Sequence, residues 1–144
     1  MRRLIALMVL AVAIGSGPAR ADQSHTATLY KDPQCGCCEA YADYLRENGF
    51  ELTVEATDEL SLIKQRYGVP GTLEGCHTTV VEGYVVEGHV PLETLLRLLS
   101  EKPDIKGISL PGMPAGSPGM FGEKSGPFTI FEIGDGEPKV YAVE

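Results

Sequence analysis

The chain has 144 residues, with 20 acidic against 12 basic side chains, a net charge of −8 and an apolar fraction of 43%. That length holds one domain with one core. The acidic balance argues against a nucleic-acid or anionic-membrane partner, since both kinds of binding rest on basic patches.

Residues 1–21 open with Arg2 and Arg3, run apolar from Leu4 to Ile14 and close on Ala19-Arg20-Ala21. A short apolar run behind positive charge and ahead of an A-x-A site is the pattern of a secretory signal peptide. The run falls short of the roughly 20 apolar residues that span a bilayer. The sequence therefore predicts cleavage before Asp22 and export to a periplasm, with no membrane contact afterwards; an uncleaved anchor is the lesser alternative. The segment holds three of the 12 basic residues and none of the acidic ones, so the mature chain sets nine against 20, a net −11.

Next in order comes "TATLY", Thr26 to Tyr30, with the β-branched and aromatic content of a strand. Asp32-Pro33 breaks it and offers a helix start. Cys38, Tyr41, Ala42 and Leu45 then recur at the i, i+3, i+4, i+7 spacing of one helix face, and Gly49 is a natural stop. "FELTVEA", Phe50 to Ala56, alternates as a second strand. Asp58 is placed to cap a short helix through Arg66 that ends at Gly68. After the loop "VPGTLEG", the run Cys76 to Val90 reads as two strands about a Glu82-Gly83 turn. Pro91 suits the first position of a helix whose Leu92, Leu95, Leu96 and Leu99 form an apolar stripe.

This order, β-α-β-α-β-β-α, is the connectivity of a thioredoxin-like α/β domain over residues 22–101. From Lys102 the texture changes to a Gly/Pro-rich stretch through Pro127, followed by a β-rich pair, "FTIFEI" and "KVYAV", about "GDGEP". Ile105, Ile108, Leu110, Met113, Met120 and Phe121 are spread through it, which fits an ordered extension, 102–144, packed back on the domain better than a free linker.

Four cysteines in an exported chain would ordinarily make two structural disulfides. Three of them, Cys35, Cys37 and Cys38, are instead crowded into "DPQCGCC", Asp32 to Cys38. They sit where the first strand hands over to the first helix, so a site is the better reading. A cysteine at a helix N-terminus meets unpaired backbone N–H groups that favour its thiolate. Cys35 is thus the candidate reactive sulfur, and Cys38, one turn on, its resolving partner.

Cys37 is superfluous to that pair but suits a soft metal, since thiolates and thioethers select Cu(I) and thiolates also take Zn(II). The remaining soft donors outside the leader are Cys76, His77, Met113 and Met120, all in segments able to face the cysteine corner. Cys76 and His77 open the strand that borders such a motif. Each methionine is as well explained as an apolar plug. His89, in the turn "EGHVP", reads as structural or solvent-facing, and His25 as a mobile residue near the new N-terminus. A disulfide switch and a metal grip both remain open on these residues alone.

"LYKDPQCGCCEAYADYLRENGF", "YGVPGTLEGCHT", "VEGYVVEGHVP" and "GISLPGMPAGSPGM" together resemble the CopG-type proteins, a family long catalogued as a domain of unknown function. The resemblance runs from about Leu29 to Gly136. It implies a periplasmic thioredoxin-like domain with a C-terminal extension, tied to copper resistance, that binds copper ions bridged by cysteine sulfur and is proposed to act as an oxidoreductase. Carried onto this chain, it points to Cys35, Cys37, Cys38 and Cys76 as sulfur ligands, with Met113 and Met120 closing over the metal. The expected partners are copper ions and periplasmic redox or copper-transfer proteins, with the chain a monomer. A metal-free thiol-disulfide oxidoreductase and a non-catalytic copper carrier are the alternatives.

Overall fold

The structure is a computed structural model, and it describes residues 24–144. The segment read as a signal peptide lies outside the described residues. Seven strands and three helices follow in the order β1 (His25–Lys31), α1 (Gly36–Glu47), β2 (Phe50–Ala56), α2 (Leu60–Arg66), β3 (His77–Val81), β4 (Tyr84–Glu87), α3 (Leu92–Glu101), β5 (Gly107–Ser109), β6 (Thr129–Ile133) and β7 (Val140–Val143), with a 3-10 turn at Gly71–Leu73. They build one mixed sheet in the order β2-β1-β3-β4-β5-β6-β7. β1 runs parallel to β2 and antiparallel to β3, β3 pairs antiparallel with β4, and β4 runs parallel to β5. The class is α/β, as the sequence predicts.

β1 alternates, putting Ala27, Leu29 and Lys31 on its buried face. Against that side of the sheet α1 lays Cys38, Tyr41, Ala42 and Leu45, the face marked by the sequence spacing. Val86, Val90, Leu95, Leu98, Ile108 and Ile130 complete this main core. Val85 alternates with Val86 onto the other face, where a smaller cluster forms with Val69, Leu73 and Ile133. No helix among the described residues is long and apolar enough to cross a membrane.

Three local expectations are corrected. Asp58 does not cap α2: the residue flanking that helix is Glu59, whose N–H donates to Thr57 Oγ1 at 3.0 Å. Pro91 stands one position before α3 rather than inside it. The buried stripe of α3 is Thr94, Leu95, Leu98 and Leu99, whereas Leu96 is 39% exposed, because four clustered leucines exceed what one helix face can cover.

Residues 102–144 contribute three strands to the same sheet. β6 and β7 coincide with the predicted β-rich pair. β5, only Gly-Ile-Ser inside the Gly/Pro-rich stretch, carries no strand pattern of its own; it pairs Gly107, Ile108 and Ser109 with Val85, Val86 and Glu87.

Candidate metal centre

The register of the sheet brings the cysteines together. Lys31, the last residue of β1, lies opposite His77, the first of β3, so the loop after β1 and the residue before β3 share one sheet end. Asp32 shapes that loop: its Oδ1 accepts from Gln34 N–H at 2.8 Å and its carbonyl from Cys35 N–H at 3.1 Å. Lys31, only 2% exposed, turns its ammonium back under the loop. Nζ donates to the carbonyls of Asp32 (3.0 Å) and Pro33 (3.4 Å) and lies 3.1 Å from Glu39 of α1.

Cys35 flanks the N-terminus of α1, with Cys37 and Cys38 in its first turn. Cys35 and Cys38 are joined as a disulfide, while Cys37 and Cys76 are free thiols, both partly exposed. Cys37 Sγ lies 3.5 Å from Cys35 Sγ and 3.9 Å from Cys76 Sγ. All four sulfurs fall within 4.8 Å of one another.

A second donor group shares Cys76: its Sγ, with the ring nitrogens of His77 and His89, also lies within 4.8 Å. His89 Nδ1 sits 2.7 Å from the Pro118 carbonyl. A carbonyl only accepts, so Nδ1 carries the proton and the lone pair of Nε2 faces Cys76 Sγ at 2.9 Å. Burial, then the neighbouring Cys37, pushes the Cys76 thiol up to about 12, and the protonated thiol donates to that lone pair.

His77 is fully buried, its Nδ1 3.4 Å from Cys76 Sγ and its Nε2 without a well-aligned hydrogen-bond partner among the described residues. Its ring lies 4.6 Å from Tyr41 and meets His89 edge-on at 4.8 Å. Tyr41 is held in turn by donating to the Val90 carbonyl at 2.8 Å. Burial drives His77 well below the ordinary histidine range, helped by His89 and Lys64, and lowers His89 against the opposing Pro118 carbonyl. Both rings are therefore neutral near pH 7, the form that binds metals.

The sign of the pH effect follows. A histidine depressed in the folded state binds fewer protons there than when unfolded, so its contribution is present above about pH 6.5 and lost as pH falls below it. The metal-free protein should lose up to about 1.4 kcal/mol per pH unit for each such group, from that point down to the group's own folded-state value. Urea unfolding at pH 7 and pH 5 checks this. A flat profile would show that the rings are not buried as neutral groups.

Beneath Cys76 lies a buried ion pair. Lys64 of α2, its side chain 5% exposed, meets the fully buried Glu87 of β4. Glu87 also accepts from Gly75 N–H at 2.8 Å and from the Thr78 hydroxyl at 2.7 Å. Burial raises the Glu87 carboxyl while the Lys64 ammonium opposes that rise. The network fixes Gly75, directly before Cys76.

The extension covers the corner from the other side. Gly119 lies so close to α1 that a Cβ there would stand 2.7 Å from the Tyr41 nitrogen and 3.0 Å from the Cys37 carbonyl oxygen. Met120 follows it, partly buried, its N–H donating to the Ser117 carbonyl at 2.9 Å. Met113 comes after Gly112, which bridges Gly75, and is 56% exposed.

The structure thus brings Cys35, Cys37, Cys38, Cys76 and His77 together and sets the segments of both methionines beside them. It decides one histidine reading and corrects another. Of the two readings of His89, structural or solvent-facing, burial against Cys76 excludes the second, because the turn after β4 folds the ring under Pro118; its position in a turn gave no such signal. His25 is the first residue of β1, its Nδ1 2.6 Å from Glu82 and its ring tilted against Phe50 with centroids 5.2 Å apart.

Residues 73–120 match the family described as "Protein of unknown function, DUF411". Two solved structures, "Copper resistance protein copG- Form 2" and "Copper resistance protein copG- Form 1", resemble the chain at 36% identity and a TM-score of 0.78. Each match covers 85% of this chain, with 99% and 98% of the respective relative. A comparison with curated proteins finds no match. Nearly the full length of these relatives is therefore shared, and the chain belongs to the family of the copper resistance protein CopG.

Proposed function

We propose that this is a copper-binding thiol protein of copper resistance, exported to the periplasm behind a leader at 1–21, that holds Cu(I) on Cys35, Cys37, Cys38 and Cys76 and acts as a copper/thiol oxidoreductase. The observation that carries the reading is the convergence of four sulfurs within 4.8 Å from two separate segments of the chain. The relatives named as copper resistance proteins support it. The donor set fits the ion, because thiolates select Cu(I) and a sulfur can be shared between ions. His77, Met113 and Met120 are the further donors in the same reading.

Bound copper would supply one-electron chemistry. The chain's own groups do the rest: the N-terminus of α1 favours the Cys35 thiolate, Lys31 fixes the loop that carries it, and the Tyr41, His77 and His89 rings keep the inner wall of the corner dry. Closing the Cys35–Cys38 bond releases two electrons and two protons and opening it takes them up, so each cycle would pair with two one-electron changes at copper.

The experiment is anaerobic reduction, Cu(I) loading and removal of excess, with copper and free thiols counted on one sample. Cys37→Ser and Cys76→Ser should each lower copper per chain by at least one ion. Reduced protein that takes up no copper, or one zinc alone, would overturn the reading.

The closed Cys35–Cys38 bond favours one second reading, a metal-free thiol-disulfide oxidoreductase. On that reading Cys37→Ser keeps full thiol-exchange activity and only Cys35→Ser abolishes it.

A further inference from the structure

We infer that closing the Cys35–Cys38 disulfide converts the metal centre rather than abolishing it: Cys76, His77 and His89 stay grouped within 4.8 Å, and Cys37, 3.9 Å from Cys76 Sγ, turns toward them to complete a two-sulfur, two-nitrogen set for a divalent ion of the zinc type. The inference deepens the proposed copper reading and rests on it for the reduced state.

The starting point is what the closed bond leaves behind. When two thiols join, they lose two protons and two electrons, and their sulfurs cease to be thiolate ligands. Cys35 and Cys38 are in that state here, yet Cys37 and Cys76 stay free at 3.9 Å from each other. Two of the four soft donors are thereby withdrawn. The remaining pair of sulfurs does not stand alone, because Cys76 is the sulfur that both donor groups share.

On its far side stands His89, whose orientation is built rather than incidental. Its outer nitrogen is tied to the Pro118 carbonyl at 2.7 Å, which leaves the inner lone pair aimed at Cys76 Sγ at 2.9 Å. A ligating histidine ordinarily holds its other nitrogen on a carbonyl or carboxylate in this manner, and that outer partner fixes tautomer and ring angle. His77 offers Nδ1 on the same sulfur at 3.4 Å from a fully buried ring.

Chemistry then separates the two states. Four thiolates favour Cu(I), whereas a mixture of two cysteines and two histidines is a closed tetrahedral set of zinc sites. Two thiolates balance the charge of one divalent ion. The ion has a way in as well: Cys37 and Cys76 are partly exposed while the histidines form the buried floor. The redox state of one disulfide would thus select which class of metal the protein holds.

The test uses protein equilibrated with oxidised glutathione, which accepts the two electrons and becomes two thiols, to a count of two free thiols per chain. Zn(II) is titrated against a chromophoric chelator, and Co(II) replaces it for absorption spectroscopy. The closed protein should bind one zinc per chain, with a sulfur-to-cobalt charge-transfer band in the Co(II) form. The Cys35→Ser/Cys38→Ser double variant, which keeps only the inferred donors, should match it within threefold. His89→Gln should weaken zinc binding at least 10-fold, and Cys76→Ser, of nearly the same shape, should do so independently of any folding defect at His89.

No zinc uptake by either the closed protein or the double variant would overturn the inference, as would an unchanged affinity in His89→Gln. Cu(I) loading of the reduced protein is measured on the same preparation to keep the two readings apart. Copper without zinc sinks the conversion alone; zinc without copper upholds the nitrogen-sulfur set and sinks the reading of the reduced centre.

Discussion

Replacing Glu87 by Ala should lower the unfolding free energy by about 3–5 kcal/mol, the range found when one partner of a buried ion pair is removed. The substitution leaves Lys64, its side chain 5% exposed, without its counter-charge, and it strips Gly75 N–H and the Thr78 hydroxyl of their acceptor. The double variant Lys64→Met/Glu87→Leu should recover most of the loss, since apolar replacement of both charges removes the desolvation cost along with the attraction. Urea unfolding of the three proteins decides it. A loss under about 1 kcal/mol in the single variant would mean that the pair is solvated in solution, as exposed pairs of that strength are. The same variant frees the backbone before Cys76, so copper per chain should fall with it.

The second large effect is expected at Gly119. Its φ of +79° lies in the left-handed region, where a side chain costs roughly 1–2 kcal/mol by itself. The neighbour that an added methyl would meet is the Tyr41 backbone nitrogen at 2.7 Å, inside a helix that cannot give way. Gly119→Ala should therefore lift residues 117–121 off the first turn of α1 and loosen the Pro118 carbonyl from His89. We expect faster loss of bound metal and faster proteolysis between Pro114 and Lys124, with the sheet intact by circular dichroism. Metal release and cleavage at wild-type rates would show that the extension closes the corner by other contacts. Gly122→Ala, where the nearest atom is the Ala115 methyl at 3.2 Å, is the milder control.

Much of this centre was legible in the chain because it depends on local pattern. The face of α1 follows from a spacing of three and four, and β1, β2 and the hairpin from alternation and the Glu82-Gly83 turn. Cys35, Cys37 and Cys38 announce themselves by crowding, and Cys76 by being the remaining sulfur. What escaped the pattern is what depends on long-range register. His89 looks like a turn residue until β3 and β4 pair and fold it onto Cys76. Lys64 has the look of a solvated helix residue, and Glu87 of a strand's polar end, because the sequence does not show that they bury each other. β5 was invisible because three residues are too few to display alternation; its pairing with β4 is what makes it a strand. Met113 and Met120 could be marked only as candidate soft donors, since no local rule sets the path of a Gly/Pro-rich segment.

One feature of the backbone sets a timetable for the centre. Gly75 and Gly88 face each other so closely that a Cβ on Gly75 would stand 2.7 Å from the Gly88 Cα, and one on Gly88 would stand 2.5 Å from the Leu110 carbonyl oxygen. Gly112 closes the stack by bridging Gly75 and donating to the Glu74 carbonyl at 3.1 Å. Three stretches of backbone are thus nested at the residue before Cys76, with Gly75 and Gly112 the most distant of them in sequence. Contacts so distant in sequence form late, after the cost of closing the loops between them has been met. All four cysteines have been made by residue 76, but the pocket that orders them is not finished until the chain has passed Pro118. A nascent or refolding molecule therefore has its thiols before it has the finished pocket, and metal given to it in that interval meets loose sulfurs instead of a site. Reconstitution should succeed best when metal is added after folding is complete.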